Sequence, residues 1–131
     1  MSEGVLFNLN DLNPGTWFDY ENGSRVCLRV CAVDDTKNIR KQTTKKKIEF
    51  KNNQRVIYDE VNEELESQLV WDFCIVDWEK FFDSRGNSIP CNKEMKLLLM
   101  GKSLKFSNFV NEKIKILADL VSENAEDEIK N

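Results

Sequence analysis

Leu69-Val70-Trp71-Asp72-Phe73-Cys74-Ile75-Val76-Asp77-Trp78-Glu79-Lys80-Phe81-Phe82 decides how this chain folds, because apolar and aromatic side chains crowd into it. Read at about 100° per residue, Gln68, Asp72, Glu79 and Asp83 fall together as one narrow polar stripe, and apolar residues cover the rest of the circumference. The pattern predicts a helix from about Val61 to Phe82, apolar nearly all round. Such a helix is the centre of a core, part of an interface, or both. Trp71 and Trp78, seven residues apart, would share a face with Ile75 and Phe82. Asp77 falls on the apolar side of this wheel, among Val70, Phe73, Cys74 and Phe81. A carboxylate there needs an Arg or Lys within the fold, or a partner at the edge of an interface.

Beyond this stretch, Arg85-Gly86-Asn87 reads as a turn and Ile89-Pro90-Cys91 as extended chain. Asn92 is a good N-cap for a helix to Met100, with Met95, Leu98 and Leu99 packing and Gly101 stopping it. Ser103 caps another, whose Phe106, Phe109, Val110, Ile114, Leu117 and Val121 recur at helical spacing. The acidic segment 123–131 is expected to fray.

On the N-terminal side, Val5, Leu6, Phe7, Leu9 and Leu12 are scattered apolar positions before a Pro14-Gly15 turn. Trp17-Phe18-Asp19-Tyr20 meets Asn22-Gly23, a strong hairpin signal, and a strand returns from Arg25 to Val33. Both faces of that strand are largely apolar, so it sits centrally or under a helix. Asp34 or Asp35 can cap a short helix to about Lys47, with Ile39 its one apolar member; a mobile basic arm is the alternative. Lys47–Phe50 and Arg55–Tyr58 flank Lys51-Asn52-Asn53-Gln54 as a second hairpin with an exposed polar tip. The expectation is a single α+β domain over residues 1–122, with N-terminal hairpins packed on a C-terminal bundle of about three helices. A basic arm or hairpin lies within residues 36–58.

Composition narrows the function classes. The chain has 131 residues, 40% hydrophobic and 32% charged, as in an ordinary globular domain. It has no histidine, which excludes Ser-His-Asp and Cys-His catalysis and His-ligated metal within this chain. No apolar run approaches the roughly 20 residues that span a bilayer. Met1-Ser2-Glu3-Gly4 does not look like the start of a signal peptide. A cytoplasmic protein is expected, with Cys27, Cys31, Cys74 and Cys91 as thiols. Their spacing, one C-x3-C and two isolated residues, suits no structural zinc site. On a strand, Cys27 and Cys31 would stand about 13 Å apart. No metal and no cofactor is expected.

Charge is segregated. From Lys37 to Arg55 eight basic residues face one acid, Glu49, so this segment carries +7 of a net −4 and the remainder carries −11. Lys45, Lys46 and Lys47 lead a cluster that could hold phosphate, but Phe50 and Tyr58 are its only rings, and single-strand binders need stacking platforms. The acidic total also disfavours nucleic acid. A nucleic-acid-associated protein using residues 37–55 is therefore the alternative function. The arm and the acids that follow it would let chains associate head to tail, or simply neutralise one another within one chain. Paired acids such as Asp72 with Asp77 or Glu79 suggest hydrolase chemistry only weakly, since no glycine-rich phosphate loop accompanies them. No catalytic residues are expected.

The stretch from Trp71 to Cys91 resembles a pattern of small phage and prophage tail proteins. An apolar helix ends in a tryptophan, an acidic glycine-containing turn follows, and "G-x-x-I/L-P" (here Gly86 to Pro90) leads into a capped helix rich in Leu and Lys. Here that helix is Asn92-Lys93-Glu94-Met95-Lys96-Leu97-Leu98-Leu99-Met100. A helix with paired phenylalanines, Phe106 and Phe109, and an acidic tail complete the pattern. The similarity, over roughly residues 65–125, is to the tail assembly chaperones of long-tailed phages. It implies a non-enzymatic protein that binds other tail components, such as the tape-measure protein, during virion assembly, with oligomers in some members. Partner-binding candidates are Lys45, Lys46 and Lys47 on the arm, and Trp71, Asp77, Trp78, Phe81 and Phe82 on the apolar stretch.

Overall fold

A computed structural model describes Gly4 and residues 13–130, with side chains through Leu120. The apolar positions Val5, Leu6, Phe7, Leu9 and Leu12 lie outside the described residues. In chain order the elements are β1 (Thr16–Asp19), β2 (Arg25–Leu28), α1 (Val33–Thr43), β3 (Thr44–Lys51), β4 (Gln54–Val61), α2 (Glu63–Cys74), β5 (Ile75–Glu79), α3 (Lys93–Lys102) and α4 (Leu104–Lys130). The protein is α+β, as expected from the sequence. Its strands form two separate antiparallel sheets, one ordered β1-β2-β5 and one made of β3 and β4 alone.

The first hairpin turns where Asn22-Gly23 predicts. Both residues take the left-handed conformation, at φ 51° and 79°, which Gly adopts freely and Asn tolerates. The Tyr20 N–H donates to the Ser24 carbonyl at 2.9 Å and closes the loop. Val26 and Leu28 on β2 point inward and are fully buried. They meet Ile75 and Trp78 of β5, Met100 of α3, and Phe106 and Val110 of α4 in one core. The Trp78 indole stacks on Phe81 with centroids 4.9 Å apart, and Tyr20 meets Phe109 edge-on at 4.8 Å.

The largest departure from expectation is the apolar stretch Leu69–Phe82. The helix expected to Phe82 ends at Cys74, and the chain passes directly into β5. All four carbonyls at the helix end find donors, three of them from distant residues. The Trp71 carbonyl accepts the Ile75 N–H, and the Asp72 carbonyl accepts the Lys96 ammonium at 3.0 Å. The Phe73 carbonyl accepts the Arg29 Nε–H at 2.8 Å, and the Cys74 carbonyl accepts the Arg29 backbone N–H at 2.9 Å. Two cations at the negative end of the helix dipole thus terminate α2. Beyond it, Ile75 and Val76 favour the extended chain, and β2 is present to pair with it.

Register then decides which side chains face inward. Leu28 pairs with Ile75 but Cys27 with Asp77, so Val76 is an extra residue, a β-bulge. Because of it Ile75 and Trp78, three apart, both reach the core, where they are 0% and 6% exposed. Asp77 is turned to solvent, which removes the need for a buried partner inferred from the helical wheel.

Two other boundaries move. The strand expected from Arg25 to Val33 stops at Leu28, where Arg29 leaves to cap α2. The helix expected to reach Lys47 stops at Thr43, and Lys45, Lys46 and Lys47 belong to β3. Asn92 Oδ1 caps α3 through the Met95 N–H at 2.9 Å, and Ser103 Oγ accepts the Phe106 N–H at 3.2 Å. Gly101 does not stop α3, which continues to Lys102. Residues 123–130, expected to fray, continue α4.

Cys27 and Cys74 are buried and Cys31 and Cys91 half-buried, all as free thiols. Among the described residues no cluster of Cys, Asp and Glu is arranged to hold a metal ion. Burial pushes the Cys74 thiol up to about 12 and the Cys91 thiol to about 11, against an ordinary 9.0. A thiol harder to ionise when folded stabilises the fold fully below about pH 9, and that stability is lost as pH rises toward 11 to 12. The urea midpoint is therefore expected to fall above about pH 9, and to fall less steeply in Cys74→Ala/Cys91→Ala. An identical slope in the double variant would assign the alkaline loss to other groups.

Candidate partner-binding surface

Among the described residues, the exposed large apolar side chains gather on the β3–β4 arm, at Ile48, Phe50, Val56, Ile57, Tyr58 and Val61. β3 and β4 pair residue for residue from Thr44 with Val61 to Lys51 with Gln54. The connecting Asn52-Asn53 are both left-handed, at φ 51° and 62°, a two-residue turn whose twist suits a hairpin. At its base the Asn62 N–H donates to the Thr43 carbonyl at 2.8 Å, fastening the arm to the α1–α2 junction. Above that base every residue from Lys45 to Val61 is exposed, so neither side of the ribbon is a core face.

Cross-strand partners share a face, which sorts the arm into two surfaces. One face carries Lys45 with Glu60, Lys47 with Tyr58, Glu49 with Val56, and Lys51 with Gln54. All of its charges but Lys45 are matched internally among the described residues: Lys47 meets Glu60 at 3.2 Å, Lys51 meets Glu49 at 3.7 Å, and the Tyr58 hydroxyl donates to Glu49 at 2.9 Å. That hydrogen bond to a carboxylate raises the Tyr58 pKa. The opposite face carries Lys46 with Asp59, Ile48 with Ile57, and Phe50 with Arg55. Ile48, Ile57 and Phe50 are 50%, 56% and 77% exposed. Lys46 and Asp59 stand opposite each other, yet neither they nor Arg55 form an ion pair among the described residues.

The other candidates from the sequence are dispersed. Trp78 is core, and Trp71 and Phe81 are half-buried against the same core cluster, so none of these three offers a free surface. Phe82 is 59% exposed, at an isolated bridge with Ser88 beside the Asp83–Asn87 turn. Asp77 lies on the exposed side of β5, and its carboxylate accepts the Trp78 N–H at 2.8 Å. Trp71, Asp77, Trp78, Phe81 and Phe82 therefore do not share one exposed surface. The helical wheel grouped residues that a strand and a bulge separate.

Along the sequence Phe50 and Tyr58 stand out only as sparse aromatics, and nothing in the spacing of either strand alone marks Ile48 and Ile57 as partners. The signal was present in the two-residue turn, which fixes the register and so brings Ile48, Ile57 and Phe50 to one face. Comparison with protein-family models, curated proteins and solved structures finds no match for this chain. No described helix is long and apolar enough to cross a membrane.

Proposed function

We propose that this protein is a non-enzymatic binding and assembly factor, a phage or prophage tail assembly chaperone-like protein acting in the cytoplasm. Its partners on this reading are other tail components, the tape-measure protein first among them. The observation that supports a binding role is the β3–β4 arm, a ribbon with no core face and an exposed apolar row. A lone two-stranded ribbon is only marginally stable in water, so covering it stabilises both the ribbon and the complex. The class of partner rests on the sequence resemblance of residues 65–125 to tail assembly chaperones alone, a resemblance whose apolar helix ends at Cys74 with Trp78 on a strand.

The nucleic-acid reading has weaker support. Lys47 and Lys51 are already paired with Glu60 and Glu49, and Asp59 lies among the remaining cations. Phosphate binding would weaken steeply with added salt, whereas apolar contacts would not.

Co-expression with a tape-measure protein encoded beside this chain tests the proposal. The wild type is expected to keep that protein soluble and co-purify with it. A variant in which a short Gly-Ser turn replaces Thr44–Val61 is expected to lose it. Changing Lys45, Lys46 and Lys47 together to Glu should slow association and alter its salt dependence while leaving the fold intact. Surface ion pairs, each under about 1 kcal/mol, guide encounter more than they hold a complex. No co-purification with the wild type, or undiminished co-purification with the armless variant, would overturn the reading.

A further inference from the structure

We propose that the apolar face of the β3–β4 arm stacks on the same face of a second copy of this chain, the two arms antiparallel about a two-fold axis. The face is complementary to itself. With the axis lying across the strands at the Ile48–Ile57 pair, Ile48 meets the partner's Ile48 and Ile57 meets the partner's Ile57. Two residues toward the tip, Arg55 comes over the partner's Asp59, and Phe50 over the partner's Lys46, a cation–π pairing. The same contacts recur by symmetry on the other side of the axis. No like charges are set against each other, and the three charged groups of this face, Lys46, Arg55 and Asp59, which form no ion pair among the described residues, each gain a complementary group.

A two-fold axis along the strands would also match these charges, but it sets the two bodies side by side. The arm from Thr44 to Val61 holds five basic and three acidic residues, +2, so the rest of the chain carries −6 of the net −4. Two such bodies repel when adjacent. The antiparallel stack instead places each cationic tip, with Lys51 and Arg55, toward the partner's acidic start of α2 at Glu63 and Glu64.

The ribbon is eight residues long, about 26 Å, and roughly 10 Å wide, so one face offers on the order of 250 Å². A stable dimer needs about 800 Å² per partner. The pairing is therefore weak and reversible for the isolated protein, and strengthened wherever copies are gathered on one assembly. A tail partner on the same apolar row would displace the second copy, so the two occupy the row in turn, and the test of the pairing, on the purified chain alone, is independent of the tail-assembly reading.

Sedimentation velocity over a wide concentration range is expected to show a monomer–dimer equilibrium for the wild type. Asp59→Lys places cation against cation in the stack and should weaken the dimer by about tenfold or more. Lys46→Glu/Arg55→Glu/Asp59→Lys reverses every charge on the face, restores the ion pair across the stack with its signs exchanged, gives up the cation–π pairing of Phe50, and should recover most of the dimer. Far-UV circular dichroism and melting temperature, dominated by the core, should be alike in all three. A wild type monomeric at every concentration, a dimer indifferent to Asp59→Lys, or a triple variant no better than the single one would each overturn the proposal.

Discussion

Replacing Trp78 with alanine is expected to lower the unfolding free energy by about 3–5 kcal/mol, read as a fall in the urea midpoint. Trp78 is 6% exposed, stacks on Phe81, and meets Phe106 edge-on at 6.1 Å. Its indole N–H donates to the Ile89 carbonyl at 2.8 Å, tying the loop before α3 to β5. Truncation removes the ring and also leaves that carbonyl without its donor. Trp78→Phe keeps most of the apolar contact and loses the hydrogen bond, for about 1–2 kcal/mol. Phe82→Ala, at a side chain 59% exposed, should cost under about 0.5 kcal/mol. A larger loss at Phe82 than at Trp78 would mean that the bulge at Val76 is misplaced and the inward register of β5 with it.

The second large effect is expected at the cations that end α2. Lys96 is a buried lysine whose ammonium donates to the Asp72 carbonyl at 3.0 Å and lies 3.2 Å from its carboxylate. Lys96→Met keeps the aliphatic stem and removes the charge, leaving a helix-terminal carbonyl without its donor. The expected cost is about 2–3 kcal/mol. Asp72→Asn should cost less, about 1 kcal/mol, since the carboxylate is 35% exposed and the backbone carbonyl still receives the ammonium. Arg29 works beside it, its guanidinium 3.8 Å from the Phe73 ring centre and bonded to the Phe73 carbonyl. Arg29→Met should cost a similar amount to Lys96→Met. Since both cations hold one helix end, the double variant is expected to lose less than the sum, because the last turn frays once for either loss. Strict additivity would show that the two cations act independently.

Much of the fold was legible because local chemistry announces it. Asn22-Gly23 and Asn52-Asn53 mark hairpins through their tolerance of left-handed backbone, and both turns occur there. Asn92 and Ser103 mark helix starts, each with a side-chain oxygen that accepts an otherwise unpartnered N–H. Phe106 and Val110, on the periodic stripe of α4, are in the core as their spacing requires. The candidate site was less legible. Lys45, Lys46 and Lys47 were found as charge, but the row that gives the arm an apolar face depends on pairing across strands, which spacing along one strand does not display.

The sequence by itself determined the α+β class, the two hairpin turns, the caps of α3 and α4, and the segregation of charge onto the segment that becomes the arm. Each of these rests on interactions among neighbours in the chain. Only the tertiary structure decided that Trp71-Asp72-Phe73-Cys74 is helix and Ile75-Val76-Asp77-Trp78 is strand. An apolar segment of this kind can satisfy its backbone in either form. The choice falls to distant groups: Arg29 and Lys96, which take up the carbonyls at the end of α2, and β2, whose free edge takes up the hydrogen bonds of β5.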